Sequence, residues 1–291
     1  MAARNYIKCI AKAILVMRSF DPENSELSVS DMARKVGLPK PTANRILSTL
    51  VWGGLLEQNA ETQKYMIGPM AFTLGSLYLT SRDVIKRAEP IVKRLNELTG
   101  EVVNVQIRDK GFSTIVLREE SKRTFRFAYH VGSVFPAYAV AAGKALLSEL
   151  TDVEIDSLYP NEELVALTQK TIATRTELKK ELEQVRESEV AFQSEESRDG
   201  IEAVASIIHD ATGAAVAAIS IAAPVFTMNE VRRRQLATMV SLGANLISNQ
   251  LGYRSVANVV SSMEEISAWW EQNQNVQIHE TTPDDEVCQG K

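Results

Sequence analysis

Apolar residues recur at near-helical spacing from the start of the chain. Ile7, Ile10, Ala11, Ile14, Leu15 and Met17 predict a first core helix, and Arg18 closes their run. The stretch "SVSDMARKVGLPKPTANRILSTLVWGGLLEQ", Ser28 to Gln58, then reads as two short helices around a tight turn. Ser30 is the expected N-cap, with Asp31 in the first turn. Met32, Ala33 and Val36 supply an inward stripe, Gly37 stops the helix, Leu38 plugs the core and Pro39 bars continuation. Pro41 suits the first turn of the next helix, where a missing N–H costs nothing.

Stepping from Thr42 by about 100° per residue separates two faces. Ala43, Ile46, Leu47 and Leu50 fall on one side, while Asn44, Arg45 and Ser48 fall opposite, flanked by Thr42 and Thr49. Arginine pairs with guanine, asparagine with adenine and hydroxyls with phosphates or bases, so this polar face suits a DNA major groove. Lys40 stands at the helix entrance, where backbone N–H groups also favour a phosphate. Two alternating runs follow, 55–58 and 64–67, and predict a two-stranded wing with Gln63 and Lys64 near its tip. The face and the wing together predict a winged helix-turn-helix rather than a generic helical hairpin.

Beyond this point "PMAFTLGSLYLTS" is an apolar helical stretch for which a partner chain is a natural cover. Helical patterns at 85–99, 176–188 and 228–251 alternate with strand-like runs at 102–108, 114–118, 126–129, 203–208 and 215–222. Strands following strands, with helices between the blocks, predict a mainly antiparallel α+β domain. In the tail, Val256, Val259, Val260, Met263, Ile266 and Trp270 predict an extra amphipathic helix, and "TTPDDEVCQG" reads as disordered.

Charge changes the picture only locally. The formal net charge is −5, yet residues 1–68 hold nine Lys/Arg against six acids, while residues 255–291 hold seven acids against Lys291. A modestly basic head inside an acidic whole is compatible with DNA binding. Hydrophobic content of 45% and charged content of 24% fit a globular chain. No apolar run reaches the roughly 18–20 residues needed to span a bilayer. The basic, apolar N-terminus lacks a signal-type apolar run, and only Cys9 and Cys288 are present, so a cytoplasmic, disulfide-free protein is expected.

Catalytic chemistry is scarce. His130, His209 and His279 are scattered, without ligand spacing, so no metal is expected. "AAGKALL" contains Gly-Lys, but Tyr138 takes the first P-loop glycine position and Ala145 replaces Ser/Thr, so no nucleotide cofactor is expected. Glu195 and Glu196 read as solvated loop acids, and there is no nucleophile elbow. The expectation is a binding protein rather than an enzyme. A small-molecule enzyme or a protein-interaction module on the same fold is the alternative.

Four pieces, "LSVSDMARKVGLPKPTANRILSTL", "QKYMIGPMAFTLG", "HVGSVFPAYAVAAGKALLSEL" and "RTELKKELEQVRESEVAFQSEESRDGIEAVASIIHDATGAAVAAISIAAP", occur in an order and spacing that resembles the IclR family of bacterial transcriptional regulators. The resemblance implies a winged helix-turn-helix over 1–68, a linker and dimerisation helix over 69–82, and a GAF-like effector-binding domain over 83–253, with 254–291 as an extension. It implies a homodimer or tetramer on a double-stranded operator, controlled by a small organic acid. Carried over by position, the effector site is Ala141, Ala142, Gln193, Ala203, Ser220 and Ala222, with Phe127, Phe135 and Ile201 as an apolar wall. The carboxylate is expected at the start of the "AAGKALL" helix, without a basic side chain. Gln193, Ala203 and Ala222 stand where some relatives carry an acid, a thiol or a second hydroxyl, which points to a larger, less polar acid, an aromatic one first. Glu189-Val190-Ala191 stands where Gly-Tyr-Ala is usual.

Overall fold

The computed structural model describes residues 7–21, 24–121, 129–254 and 261–275, in two compact units that divide between Ser81 and Arg82. The first unit runs α1 (Lys8–Met17), α2 (Val29–Val36), α3 (Lys40–Trp52), β1 (Leu56–Gln58), β2 (Tyr65–Ile67) and α4 (Pro69–Thr80). Its core gathers Val16, Leu27, Met32, Leu47, Leu50, Leu56 and Tyr65. The wing strands pair antiparallel with Glu57 opposite Met66, and Leu27 bridges Tyr65 to add a third segment.

Two expectations need correcting here. The N-cap of α2 is Ser28, not Ser30: its hydroxyl accepts from the Asp31 N–H at 3.2 Å and donates to Asp31 Oδ2 at 2.7 Å. Asp31 can reciprocate only from the third helical position, which fixes the cap three residues upstream. In α1 most of the predicted stripe is not core. Ile7, Ile10, Ile14 and Leu15 are at least half exposed, and the helix buries Val16, with Ala13 and Met17 half-buried beside it. No residue of α4 is buried, and Phe72 is 78% exposed.

The second unit runs α5 (Asp83–Thr99), β3 (Val102–Asp109), β4 (Phe112–Glu119), β5 (Val134–Pro136), α6 (Ala141–Ser148), α7 (Asp152–Leu158), α8 (Arg175–Ser188), β6 (Ala191–Ser194), β7 (Ile201–His209), β8 (Ala215–Pro224), α9 (Glu230–Gln250) and α10 (Met263–Asn273). The strands form one antiparallel sheet in the order β5-β4-β3-β8-β7-β6. Helices α5 and α9 pack on one face and α6 on the other. Because strand side chains alternate between faces, β8 sends Ile219 and Ile221 toward α5 and α9, and Ala218, Ser220 and Ala222 toward α6. The α+β architecture is as the pattern predicts. The short β5, β6 and α7 carry too few residues to show a period, and the run expected at 126–129 lies outside the described residues up to Ala128, with Tyr129 outside any strand.

Small residues let α6 sit close to what lies beneath it. A Cβ on Gly143 would stand 2.1 Å from the Ala137 carbonyl oxygen and 2.6 Å from its Cα, so only glycine fits. At the end of α8, Glu189 adopts a φ of 58°, the left-handed conformation that favours glycine. That is the position where the family's usual glycine is missing. Helix α10 docks on α5 and α9: Ile266 and Trp270 are buried, the Arg232 guanidinium lies 5.1 Å from the Trp270 ring centre, and Arg94 donates to Ser267 Oγ at 2.9 Å. Among the described residues no helix is long and apolar enough to cross a membrane.

Candidate functional site

Helix α3 presents the exposed polar face that its period predicts. Ala43, Leu47 and Leu50 are buried, Asn44, Arg45 and Ser48 are exposed, and Thr42 is half-buried at the edge. Pro39 precedes the helix and Lys40 opens it in solvent, so neither the first-turn amides nor the lysine is spent on a side-chain cap. Thr49 is less available than its position suggests, since its hydroxyl donates back to the Arg45 carbonyl at 2.8 Å. At the wing, Lys64 is exposed. Gln63 is also exposed but is tied to the wing tip itself: its φ is 56°, its side chain donates to the Ala60 carbonyl at 2.8 Å, and Gln58 donates to its side-chain oxygen at 3.2 Å.

In the second unit, strand register lays side chains in rows beneath α6. Arg118 on β4 stands opposite Asn104 on β3, and Asn104 opposite Ser220 on β8. One row along, Val102 faces Ala222, Ala222 faces Ala203 and Ala203 faces Gln193. Over these rows lies a small cavity of about 30 Å³, lined by Phe135, Ala141, Ala142, Gln193, Ile201, Ala203, Ser220 and Ala222. Those are eight of the nine expected effector residues; Phe127 lies outside the described residues. The residues that sequence reasoning missed are mostly polar: Asn104, Gln106, Arg118, Tyr129 and Ser197 share the lining with the apolar Ile115 and Val140. A visible signal was the buried polar pair Asn104 and Gln106 at strand spacing within the apolar β3.

Tyr129 and Phe135 close one side edge-to-face, with ring centres 4.7 Å apart, and burial pushes the Tyr129 hydroxyl up from its ordinary pKa. Lys144, the lysine of the Gly-Lys pair, is fully buried and donates to Glu181 at 2.9 Å and Glu196 at 2.8 Å. Glu196 is therefore not the solvated loop acid that its neighbourhood suggested. Burial raises its pKa, the Lys144 charge opposes the rise, and its main-chain N–H donates to Gln193 Oε1 at 2.9 Å. The buried ion pair thus anchors the loop that follows β6 and, through the Glu196 N–H, fixes the Gln193 side chain. Glu195, the other of the two, pairs with Lys170 instead.

A wider cleft of about 700 Å³ lies between Glu149, Asp152, Arg186, His209, Asn245 and Tyr253. Arg186 there donates to the Ser148 and Leu150 carbonyls, and His209 stacks on Tyr253 with ring centres 4.8 Å apart. Its groups largely satisfy one another, whereas the small cavity gathers buried polar groups in a row, which makes it the better candidate.

Residues 10–60 match the IclR helix-turn-helix domain, and residues 76–249 match the C-terminal domain of bacterial IclR transcriptional regulators. The chain belongs to the IclR family. It is a DNA-binding transcriptional regulator built from the family's two parts. AllR, an HTH-type transcriptional repressor of Salmonella typhimurium, is 33% identical over 252 residues, covering 87% of this chain and 93% of its own. An IclR transcriptional regulator from Alicyclobacillus acidocaldarius shares the fold with a TM-score of 0.75 at 21% identity, covering 85% of this chain and 100% of its own. An IclR homologue from Microbacterium hydrocarbonoxydans, solved with 4-hydroxybenzoate, matches with a TM-score of 0.70 at 18% identity, covering 84% and 98%.

Proposed function

We propose that this IclR regulator binds a roughly palindromic operator as a homodimer or tetramer, through the exposed face of α3, and that a small organic acid in the cavity under α6 alters that binding. The observation that carries the effector half is the convergence of eight scattered residues on one cavity. Lys40, Thr42, Asn44, Arg45, Ser48 and Lys64 are the DNA contacts. Gln63 acts chiefly by shaping the wing tip. The exposed apolar residues of α1 and of α4, Met70, Phe72, Leu74 and Leu77 among them, support self-association, because so much apolar surface calls for a cover. The protein works in the cytoplasm, by binding rather than by catalysis.

An aromatic acid is the leading effector. Tyr129, Phe135, Ile115 and Ile201 surround the space, while Ala203 and Ala222 leave its floor low. A volume of about 30 Å³ admits little more than a water-sized molecule, so a ring enters only as the Tyr129 and Phe135 wall moves outward. Such a ligand shifts operator binding only by the difference in its affinity for the two arrangements. The test is calorimetry with benzoate-type acids against glyoxylate and pyruvate, on the parent and on Ala222→Leu. The variant is expected to lose the ligand and its effect while still binding DNA. Tighter binding of the small ketoacids would overturn the aromatic assignment, and normal ligand binding by Ala222→Leu would overturn the cavity.

A further inference from the structure

Among the described residues that line the cavity, one carries a charge: Arg118. Its side chain is only 4% exposed, whereas that of Glu120, its ion-pair partner, is 56% exposed and meets it from the solvent side. A buried charge must be paired and hydrogen-bonded. Arg118 Nε and Nη2 donate to the two Glu120 carboxylate oxygens at 2.6 and 3.1 Å, and Nη1 donates to Asn104 Oδ1 at 2.9 Å. A guanidinium has five N–H groups, so two are left over.

The other end of the row is also unspent. Ser220 is 2% exposed and lines the cavity, and its hydroxyl has no hydrogen-bond partner among the described residues. Adjacent strands lie about 4.8 Å apart, so the register sets Arg118, Asn104 and Ser220 side by side across three strands. Asn104 sits between them and orients the guanidinium. The main chain at Glu120 is itself fixed, because Asn96 Nδ2 donates to its carbonyl at 2.8 Å. A guanidinium aligned at a cavity wall, with spare donors and a buried free hydroxyl in the same row, is an arrangement that a carboxylate completes.

We infer that Arg118, aligned by Asn104 and Glu120, holds the carboxylate of an anionic effector, with Ser220 Oγ donating to that same carboxylate. This rests on the effector reading above and replaces its expectation that the acid is held without a basic side chain. Glu120 tunes the seat: an uncharged acceptor there would still align the guanidinium by hydrogen bonding, whereas the negative charge opposes an incoming anion.

The test titrates the full-length protein with benzoate, 4-hydroxybenzoate, pyruvate and glyoxylate, and with the uncharged amide of each. The tightest acid is expected to bind at least about 30-fold better than its amide. Arg118→Gln is expected to weaken that acid by about 10- to 100-fold and to leave the amide nearly unchanged. Glu120→Gln, at an exposed position, is expected to tighten the acid by roughly 3-fold and provides the check should Arg118→Gln fail to fold. Equal binding of acid and amide, undiminished acid binding by a folded Arg118→Gln protein, or no gain in Glu120→Gln would each overturn the assignment. Acids that bind and alter DNA binding no better than their amides, and that Arg118→Gln leaves undiminished, would overturn Arg118 and leave the effector reading standing. Failure of every acid and amide would remove both.

Discussion

The reading face of α3 and the floor of the cavity are both polar rows laid on an apolar support, but different things hold them in place. Asn44, Arg45 and Ser48 come from one helix and stand in solvent, so their spacing needs only the helical repeat. Arg118, Asn104, Ser220 and Gln193 come from four strands, are almost wholly buried and are spaced by register between strands. An exposed row on one element can change its chemistry without cost to the fold. A buried row shared among several elements cannot, because each side chain there is both a contact and a structural part.

The sharpest way to break this contrast is Gly143→Ala. The added methyl would meet the Ala137 carbonyl oxygen, Cα and carbonyl carbon, all backbone, at 2.1 to 2.7 Å. We expect the second unit to lose about 3 kcal/mol, while the first keeps its own unfolding transition. Denaturant melts followed separately in the two units check this, and unchanged stability of the second would show the buried site to be more tolerant than argued.

Arg45→Ala should do the reverse, with a loss of about 1–3 kcal/mol in operator binding, relaxed preference at one base pair and an unaltered melting temperature. Competition with variant operators measures the first two, and a shifted melting temperature would mean that Arg45 supports the fold after all. Glu189→Gly asks whether exposure alone decides. Residue 189 is on the surface, yet its φ of 58° is set by the end of α8. Glycine there should stabilise the second unit by about 1 kcal/mol, read from the denaturation midpoint.

Smaller effects belong to the first unit. Lys40→Ala and Lys64→Ala should each weaken binding to all sequences alike and reduce the log–log salt slope by roughly 0.9 per phosphate contact. An unaltered slope removes that lysine from the interface. The smallest effect concerns Asp21, whose pKa is lowered to about 2, first by the hydrogen bond from Lys35 and then by that from Asn24. Because the folded value lies below the unfolded one, its contribution is present above pH 3.8 and lost as pH falls through about 2. Asp21→Asn should therefore differ from the parent slightly at pH 5, by less as the pH falls from 3.8 through about 2, and not at all well below that, as thermal melts would show.

How much of each region was legible in the chain follows from the same contrast. One period suffices to assign the α3 face and the wing, and they emerge as expected. The α1 stripe was misread because a helical period shows that a face is apolar but not what covers it. The Ser28 cap was missed because two serines precede Asp31 and only the reciprocal bond tells them apart. In the cavity, the small residues of the α6 wall followed from the family pattern. Arg118 did not, since its place depends on the pairing of β4 with β3, which contains a register shift between Val105 and Gln106. No local window of sequence contains that offset.

The alanines beneath α6 carry a consequence for anyone who wishes to retune this regulator as a sensor. Ala205 and Ala218 are fully buried in the contact with α6 and do not border the cavity, so enlarging either would prise the helix from the sheet. Ala203 and Ala222 belong to the same contact but also edge the open space. Serine, valine or leucine at those two positions subtracts room in graded steps beside a fixed charge. If the cavity holds the effector as proposed, specificity is adjustable at two screws, while the neighbouring pair works as rivets.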